Sequence, residues 1–561
     1  MGFLVVLFSL SILGCITCQT DNDDSDDYDY YGPDNLDDGA VTKTGRIISK
    51  TTEFYGVLTR AYLGIPYAKP PVGDLRFKKP EPIEPWSEPL VADTMPQACV
   101  QYTKTYVPWY DGDFSQSEDC LYMNIWAPRG APLKRKYPVM FWIYGGGFTV
   151  GSNRLPSTNG QGLSLLGKSI VVAPNYRVGA MGFLTSGTAE APGNMGIYDI
   201  IMALKWVKEN IEALGGDPDN ITIFGQGSGA ITVSMFLMSP LTKGLFNRAI
   251  IQSGSFLSNK EDPKEYNLDL TQKLAVAVEC ASENQTIRDN PKEVMKCLND
   301  VDPNELALSL SNFYPEVPKS FLPQYGDDFM PKNPIEYLKS GQFKDVDILI
   351  GTNKEEGSYL LATQYQDLLG VTGQKEVAIT KSFGATILRK MFANLKDPEE
   401  IVQQYLGDLK ENESDEVRKQ VFTAMGDYHV TCPTMYFAEN FNTGNNTVQF
   451  YLYDQRPTQT IWAPWMGVTH YDEVAMVFGR PIEGYNVETF QKYYTGEMGL
   501  SFGMSQMWGN FAKNGKALDM WKNFSKNHHQ YLLFKYNVKK KMRGPGPHLD
   551  NCNFLRKYFD L

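Results

Sequence analysis

The chain has 561 residues, 42% of them apolar and 21% charged, with 53 basic against 65 acidic side chains and a formal charge of −12. That is ample material for a large buried core, it excludes a broadly disordered chain, and the acidity argues against a nucleic-acid partner, which needs a basic face. The acid is uneven: residues 19–40 hold nine Asp and no Lys or Arg, leaving 53 basic against 56 acidic residues, or −3, over residues 41–561.

Residues 3–14 form an apolar run too short to span a bilayer, followed by small or polar residues at Cys15, Thr17 and Cys18. This predicts a signal peptide over residues 1–18, although Leu13-Gly14-Cys15 also fits a bacterial lipobox. Residues 19–40 then read as an acidic, disordered tail in which Tyr28, Tyr30 and Tyr31 are candidates for sulfation. No later stretch is long and apolar enough for a membrane anchor, so a secreted, extracellular protein is expected. Outside the leader six Cys remain, at 99, 120, 280, 297, 432 and 552. They suggest three disulfides, with 15 connectivities open. Among these six there is no C-x-x-C and no Cys/His cluster, so no metal is expected. Sequons at Asn220, Asn284, Asn412, Asn445 and Asn523 are glycosylation candidates, the middle three in loop-like sequence.

No repeat or linker divides residues 41–561, which read as one domain. Strand-like runs recur at Val139–Tyr144, Ser169–Ala173, Ile221–Phe224, Arg248–Gln252, Val346–Gly351 and Val448–Tyr453. They mostly lack polar alternation, which fits a mostly parallel sheet buried on both faces by helices, hence an α/β fold. A helix is predicted over Gly196–Leu214, ending at Gly215-Gly216, and another just after Gly229. His429, before Cys432-Pro433, is placed ahead of a helix start.

The run Ile221–Ala230 is a strand, a glycine-rich turn and a helix start, the setting of a nucleophile elbow. With it, Gly64–Ala68, Ser117–Tyr122, Trp142–Phe148, Asn175–Gly179, Ala191–Gly196, Gly215–Pro218 and Trp465–His470 resemble the type-B carboxylesterase family, its cholinesterase branch in particular. The resemblance spans nearly all of residues 41–561 and implies an α/β-hydrolase fold. The family's Phe-Gly-Glu-Ser-Ala-Gly corresponds to Phe224-Gly225-Gln226-Gly227-Ser228-Gly229, so the serine's slot holds Gly227 and its neighbouring Glu is Gln226. Ser228 cannot take over, because centring the elbow on it puts Gln226 two places earlier, where a small residue is needed. It is expected on the first helical turn with its hydroxyl turned from the attack site. The resemblance further implies His470 in the general-base slot, Glu356 as its acid, and the N–H groups of Gly146, Gly147 and Ser228 as an oxyanion hole. Glu355 reads as a solvated charge, and His528, His529 and His548 as non-catalytic.

By the same resemblance the disulfides are Cys99–Cys120, Cys280–Cys297 and Cys432–Cys552, and Phe554–Phe559 corresponds to a C-terminal helix that packs homodimers. The segment between Cys99 and Cys120 is shorter than in cholinesterases, so Trp109 cannot be assigned as the tryptophan that holds choline. Three readings follow. The first is a secreted, non-catalytic cholinesterase-like protein, as in neuroligins and glutactin, that recognises an extracellular protein. The second is an ester hydrolase with residual activity, and the third a carrier of a small apolar or ester ligand. No cofactor is implied. The Lys539–Arg543 cluster reads as a solvated loop or a contact for an acidic surface.

Overall fold

The computed structural model describes residues 39–103, 114–129, 136–258, 263–313, 321–483, 493–538, 541–559 and 561. The leader, the acidic tail with its three tyrosines, Tyr106–Trp109, Lys539 and Lys540 lie outside the described residues.

The six expected strands are present and account for most of the parallel centre of the sheet. The order runs Ile170–Pro174, Tyr137–Ile143, Gly216–Gln226, Arg248–Gln252, Asp347–Asn353, Val448–Tyr453 and Tyr531–Phe534, each parallel to the next. The central stretches of these strands are apolar and lie inside the sheet: Val139 to Ile143, Ile170 to Ala173 and Ile348 to Ile350 are fully buried. Aromatic packing locks the centre. Trp142 meets Phe224 at 4.8 Å and Phe478 at 5.1 Å between ring centroids, and such pairs add about 0.5–1.5 kcal/mol each beyond area burial. The strand that ends at the Gly145–Gly147 turn is thereby held to the strand that ends at Gly227.

Antiparallel strands extend both flanks. Tyr122–Pro128, Val57–Pro66, Gly45–Phe54 and Gly39–Thr42 follow one another on one side, and Met542–Arg543 closes the other. With Leu90–Ala92 beside Gly45–Phe54, the sheet has thirteen strands among the described residues. This is the α/β-hydrolase architecture, a mostly parallel sheet flanked by helices.

Several boundaries differ from expectation. The first strand starts at Gly39, so residues 39 and 40 belong to the body and not to the tail; they pair with Ile48 and Ile47. The first predicted helix is α-helical over Met195–Asn210 and tightens to a 3-10 turn over Ile211–Leu214, with Gly215 closing it at φ +88°. The second begins at Ser228, one residue before Gly229. His429 precedes the helix that starts at Cys432, as expected, but is not in a loop. It sits in a π-helical turn, Asp427–Thr431, that joins Ser414–Gly426 to Cys432–Phe441. The C-terminal helix is Leu549–Leu555 rather than Phe554–Phe559. The chain then turns so that Phe559 packs on Tyr428 and Tyr436, at 5.5 and 5.0 Å, on this chain's own body.

The three disulfides implied by resemblance are formed: Cys99–Cys120, Cys280–Cys297 and Cys432–Cys552. The last spans 120 residues of sequence and ties the C-terminal helix to helix Cys432–Phe441. A cross-link of that span removes the most freedom from the unfolded chain. Replacing Cys432 and Cys552 together by Ala is expected to lower unfolding free energy by about 2–5 kcal/mol. Urea denaturation reads that loss, and hydrogen exchange should rise first over residues 549–559.

Candidate functional site

Strand Gly216–Gln226 reverses into helix Ser228–Met238 through one residue, Gly227, at φ +57° and ψ −121°. The turn is tight on both sides. A Cβ on Gly229 would lie 2.0 Å from the Ile143 carbonyl oxygen, so the residue two places after the turn can carry no side chain. Gly227 donates its N–H to the Gln252 carbonyl and accepts from the Ile231 N–H, which fixes it against the neighbouring strand and its own helix.

Loops after two other strand ends bring Glu356 and His470 to this turn. Glu356 follows Asp347–Asn353 and is buried; its Oε1 accepts the Asn353 N–H at 2.6 Å and its Oε2 accepts His470 Nδ1–H at 2.6 Å. That fixes the imidazole's tautomer and orientation, the role of a triad acid. On the far side of the ring, His470 Nε2 lies 3.0 Å from the Gln226 side-chain nitrogen and 3.0 Å from where a Cβ on Gly227 would stand. Burial opposes the charged imidazole, but the adjoining Glu356, through its charge and its hydrogen bond, outweighs it and holds the His470 pKa above the ordinary value. Tyr359 stacks beside the imidazole at 6.1 Å and Trp462 beside Tyr359 at 5.8 Å, so two buried aromatic rings back the histidine.

Ser228 is the first residue of its helix. Its hydroxyl faces the glycine turn, where Oγ accepts the Phe148 N–H at 3.3 Å. Among the described residues no protein acceptor meets the N–H of Gly146, Gly147 or Ser228. Three open donors at a helix start and a glycine turn are what a developing or resident oxygen anion requires. Glu356, His470, Gln226 and Gly227 thus meet, with the Gly145–Phe148 turn against Gln226 and Ser228.

A second acid went unnoticed in the sequence. Glu473, three residues beyond His470 and just ahead of helix Val474–Val477, is fully buried; its Oε1 accepts from Gln252 Nε2 at 3.1 Å and its Oε2 from Asn353 Nδ2 at 2.6 Å. Gln252 in turn accepts from Trp508 Nε1 at 3.1 Å. Burial, and then the nearby Glu356 charge, push the Glu473 pKa to about 7. The only sequence signal was a carboxylate three places after the base, in a surface-like run of charge.

Glu355 is not a solvated charge. Its Oε2 accepts the Val468 N–H at 2.8 Å, its own N–H donates to the Val468 carbonyl, and only 16% of its side chain is exposed. It pins the loop that delivers His470. The remaining histidines serve the C-terminal region: His529 meets Glu439 at 2.8 Å, and His548 Nδ1 meets the buried Asp427 at 2.5 Å. His528 lies in a turn with Ser525. Asn284, Asn412, Asn445 and Asn523 are exposed. Asn220 is half-buried on a strand, with its amide oxygen accepting from Arg248. Lys541 of the basic cluster donates to the Lys535 carbonyl at 2.6 Å rather than standing free in solvent. No group of acidic, His or Cys residues among the described residues could hold a metal.

Residues 39–554 match the carboxylesterase family. The chain is 36% identical over 523 residues to acetylcholinesterase-1 of Trittame loki, covering 89% of this chain and 90% of that protein. It is 36% identical over 544 residues to the cholinesterase of Mus musculus, covering 92% and 86%. It is 33% identical over 545 residues to the acetylcholinesterase of Leptinotarsa decemlineata, covering 92% and 85%.

Two outcomes follow from this geometry. Gly227→Ser puts a side chain at φ +57° and presses on the imidazole, so it is expected to cost about 1–3 kcal/mol, read by urea denaturation. Glu473 binds its proton more tightly folded than unfolded. Its contribution is therefore greatest below the ordinary carboxyl value of 4.5 and is lost as pH rises towards 7. Glu473→Gln should flatten that decline, by about 2–3 kcal/mol, in denaturation curves taken across the same interval.

Proposed function

The chain belongs to the carboxylesterase family, and we propose that within it this is a secreted, non-catalytic, cholinesterase-like protein that works by extracellular recognition. The observation that carries this is Gly227 at the elbow: the turn, the base, the acid and the amide donors are assembled around a position with no side chain. The hydroxyl of the next residue, Ser228, accepts from the Phe148 N–H. Acyl transfer in a triad enzyme needs an oxygen that gives its proton to the base as it attacks, and removing a triad member leaves only the roughly 10³–10⁴-fold advantage over water from the hole and binding.

Secretion is supported by the leader-like run and by three disulfides, which persist in an oxidising compartment. Among the described residues no helix is long and apolar enough to cross a membrane. The acidic tail with Tyr28, Tyr30 and Tyr31, sulfated in the secretory pathway, is the proposed electrostatic contact for a basic partner protein.

A second reading has its own observation. The N–H groups of Gly146, Gly147 and Ser228, which meet no protein acceptor among the described residues, suit a small ligand anchored by one acceptor oxygen, such as an ester held without cleavage.

The purified protein should give no covalent adduct with a fluorophosphonate probe and no ester turnover above the buffer rate. Stoichiometric labelling of any residue, with turnover like that of the cholinesterases it resembles, would sink the non-catalytic reading. Extracellular pull-down with and without residues 19–38 tests the tail, and calorimetry with short esters tests the pocket.

A further inference from the structure

Gln226 ends the strand that delivers Gly227, and its side chain is 1% exposed. Gly145 makes room for it: a Cβ there would stand 2.4 Å from the Gln226 carbonyl oxygen and 3.2 Å from its side-chain Oε1. The amide nitrogen reaches His470 Nε2 at 3.0 Å. A carboxamide nitrogen only donates, and the Nδ1 proton of His470 is committed to Glu356 Oε2. Nε2 therefore carries the lone pair and accepts from Gln226. That lone pair is the one a general base uses to take a proton from a hydroxyl or from water.

We propose that Gln226 is a positioning residue that closes the base: its amide N–H takes the place of a nucleophile's hydroxyl at His470 Nε2 and occupies the lone pair of that nitrogen. Gly227 and Gln226 then act together. One removes the attacking oxygen, and the other satisfies the ring nitrogen that its loss would leave unpaired in a half-buried site. A water molecule entering the pocket meets an imidazole already occupied on both sides. Restoring a serine at residue 227 is consequently not sufficient to restore acyl transfer. The new hydroxyl must compete with a neighbour fixed on the same strand end, and its own Cβ already crowds the ring.

The inference rests on the non-catalytic reading of the site, and its test is separable from the test of that reading. Labelling by a fluorophosphonate forms a serine O–P bond, expels fluoride and passes the hydroxyl proton to His470 Nε2, so the rate reports the availability of that lone pair. Gly227→Ser is compared with Gly227→Ser/Gln226→Glu and Gly227→Ser/Gln226→Ala. Neither replacement donates to Nε2, and Glu keeps the side chain's shape. The double variants are expected to label about 100-fold faster than the single variant or more, in keeping with the contribution of general-base catalysis. Labelling of Gly227→Ser at the rate of both double variants would overturn the role of Gln226 and leave the non-catalytic reading intact. Labelling of the wild type would overturn that reading itself.

A second measurement covers variants that fold poorly. The chain has five His, so side-chain nitrogen NMR separates His470. With Gly227 retained, Gln226→Glu should move the Nε2 resonance and raise the pH at which the ring protonates by a unit or more, since a carboxylate facing Nε2 favours the imidazolium that an N–H donor opposes. An unchanged Nε2 resonance and midpoint would show that Gln226 only packs there, and would equally end the proposal.

Discussion

The architecture of the site depends on a strand reversing into a helix within one residue. Gly227 sits at φ +57° with a neighbouring carbonyl where a Cβ of Gly229 would be, so the backbone has a single course through the turn. That course aims the Gln226 amide at His470, turns the Ser228 hydroxyl to the Phe148 N–H, and leaves the Ser228 N–H open beside Gly146 and Gly147. A looser connection would scatter groups that must converge to fractions of an ångström. The strain that such an elbow imposes on a residue with a side chain is relieved by glycine, so the turn persists without the chemistry that elbows serve.

Around the turn lie two carboxylates with different tasks. Glu356 has one oxygen on a backbone N–H and the other on the imidazole, so both are committed. Among the described residues Glu473 has no ion-pair partner; it is held by two amide donors, and burial raises its pKa. Asn353 touches both acids, giving its backbone N–H to one and its side-chain N–H to the other. The pair keeps the imidazole's surroundings negative or half-neutral according to pH, while Gln226 adds no charge.

Much of the fold could be read along the chain. Val139–Tyr144 and Ser169–Ala173 announce buried parallel strands because apolar residues run on without polar alternation. Glu356, His470 and the Gly145–Gly147 turn were recoverable only through resemblance, since a lone His or an isolated acid carries no signature of its own. The antiparallel strands Gly45–Phe54 and Val57–Pro66 were missed because their exposed positions break the apolar run. Glu355 was misjudged because its exposure depends on a loop 113 residues away, and no local pattern encodes such a neighbour.

The sequence by itself determined the class of fold, the turn at Gly227 and the residue types around it, because periodicity and side-chain size act locally. It also determined that no hydroxyl stands at the turn. Only the tertiary structure decided what fills the vacancy. Which of two adjoining polar side chains, Gln226 or Ser228, meets His470 Nε2 depends on how a strand end, a glycine turn and a loop from 244 residues further along are packed together. A hydrogen bond is a matter of tenths of an ångström and of angle, and those are properties of the packed chain.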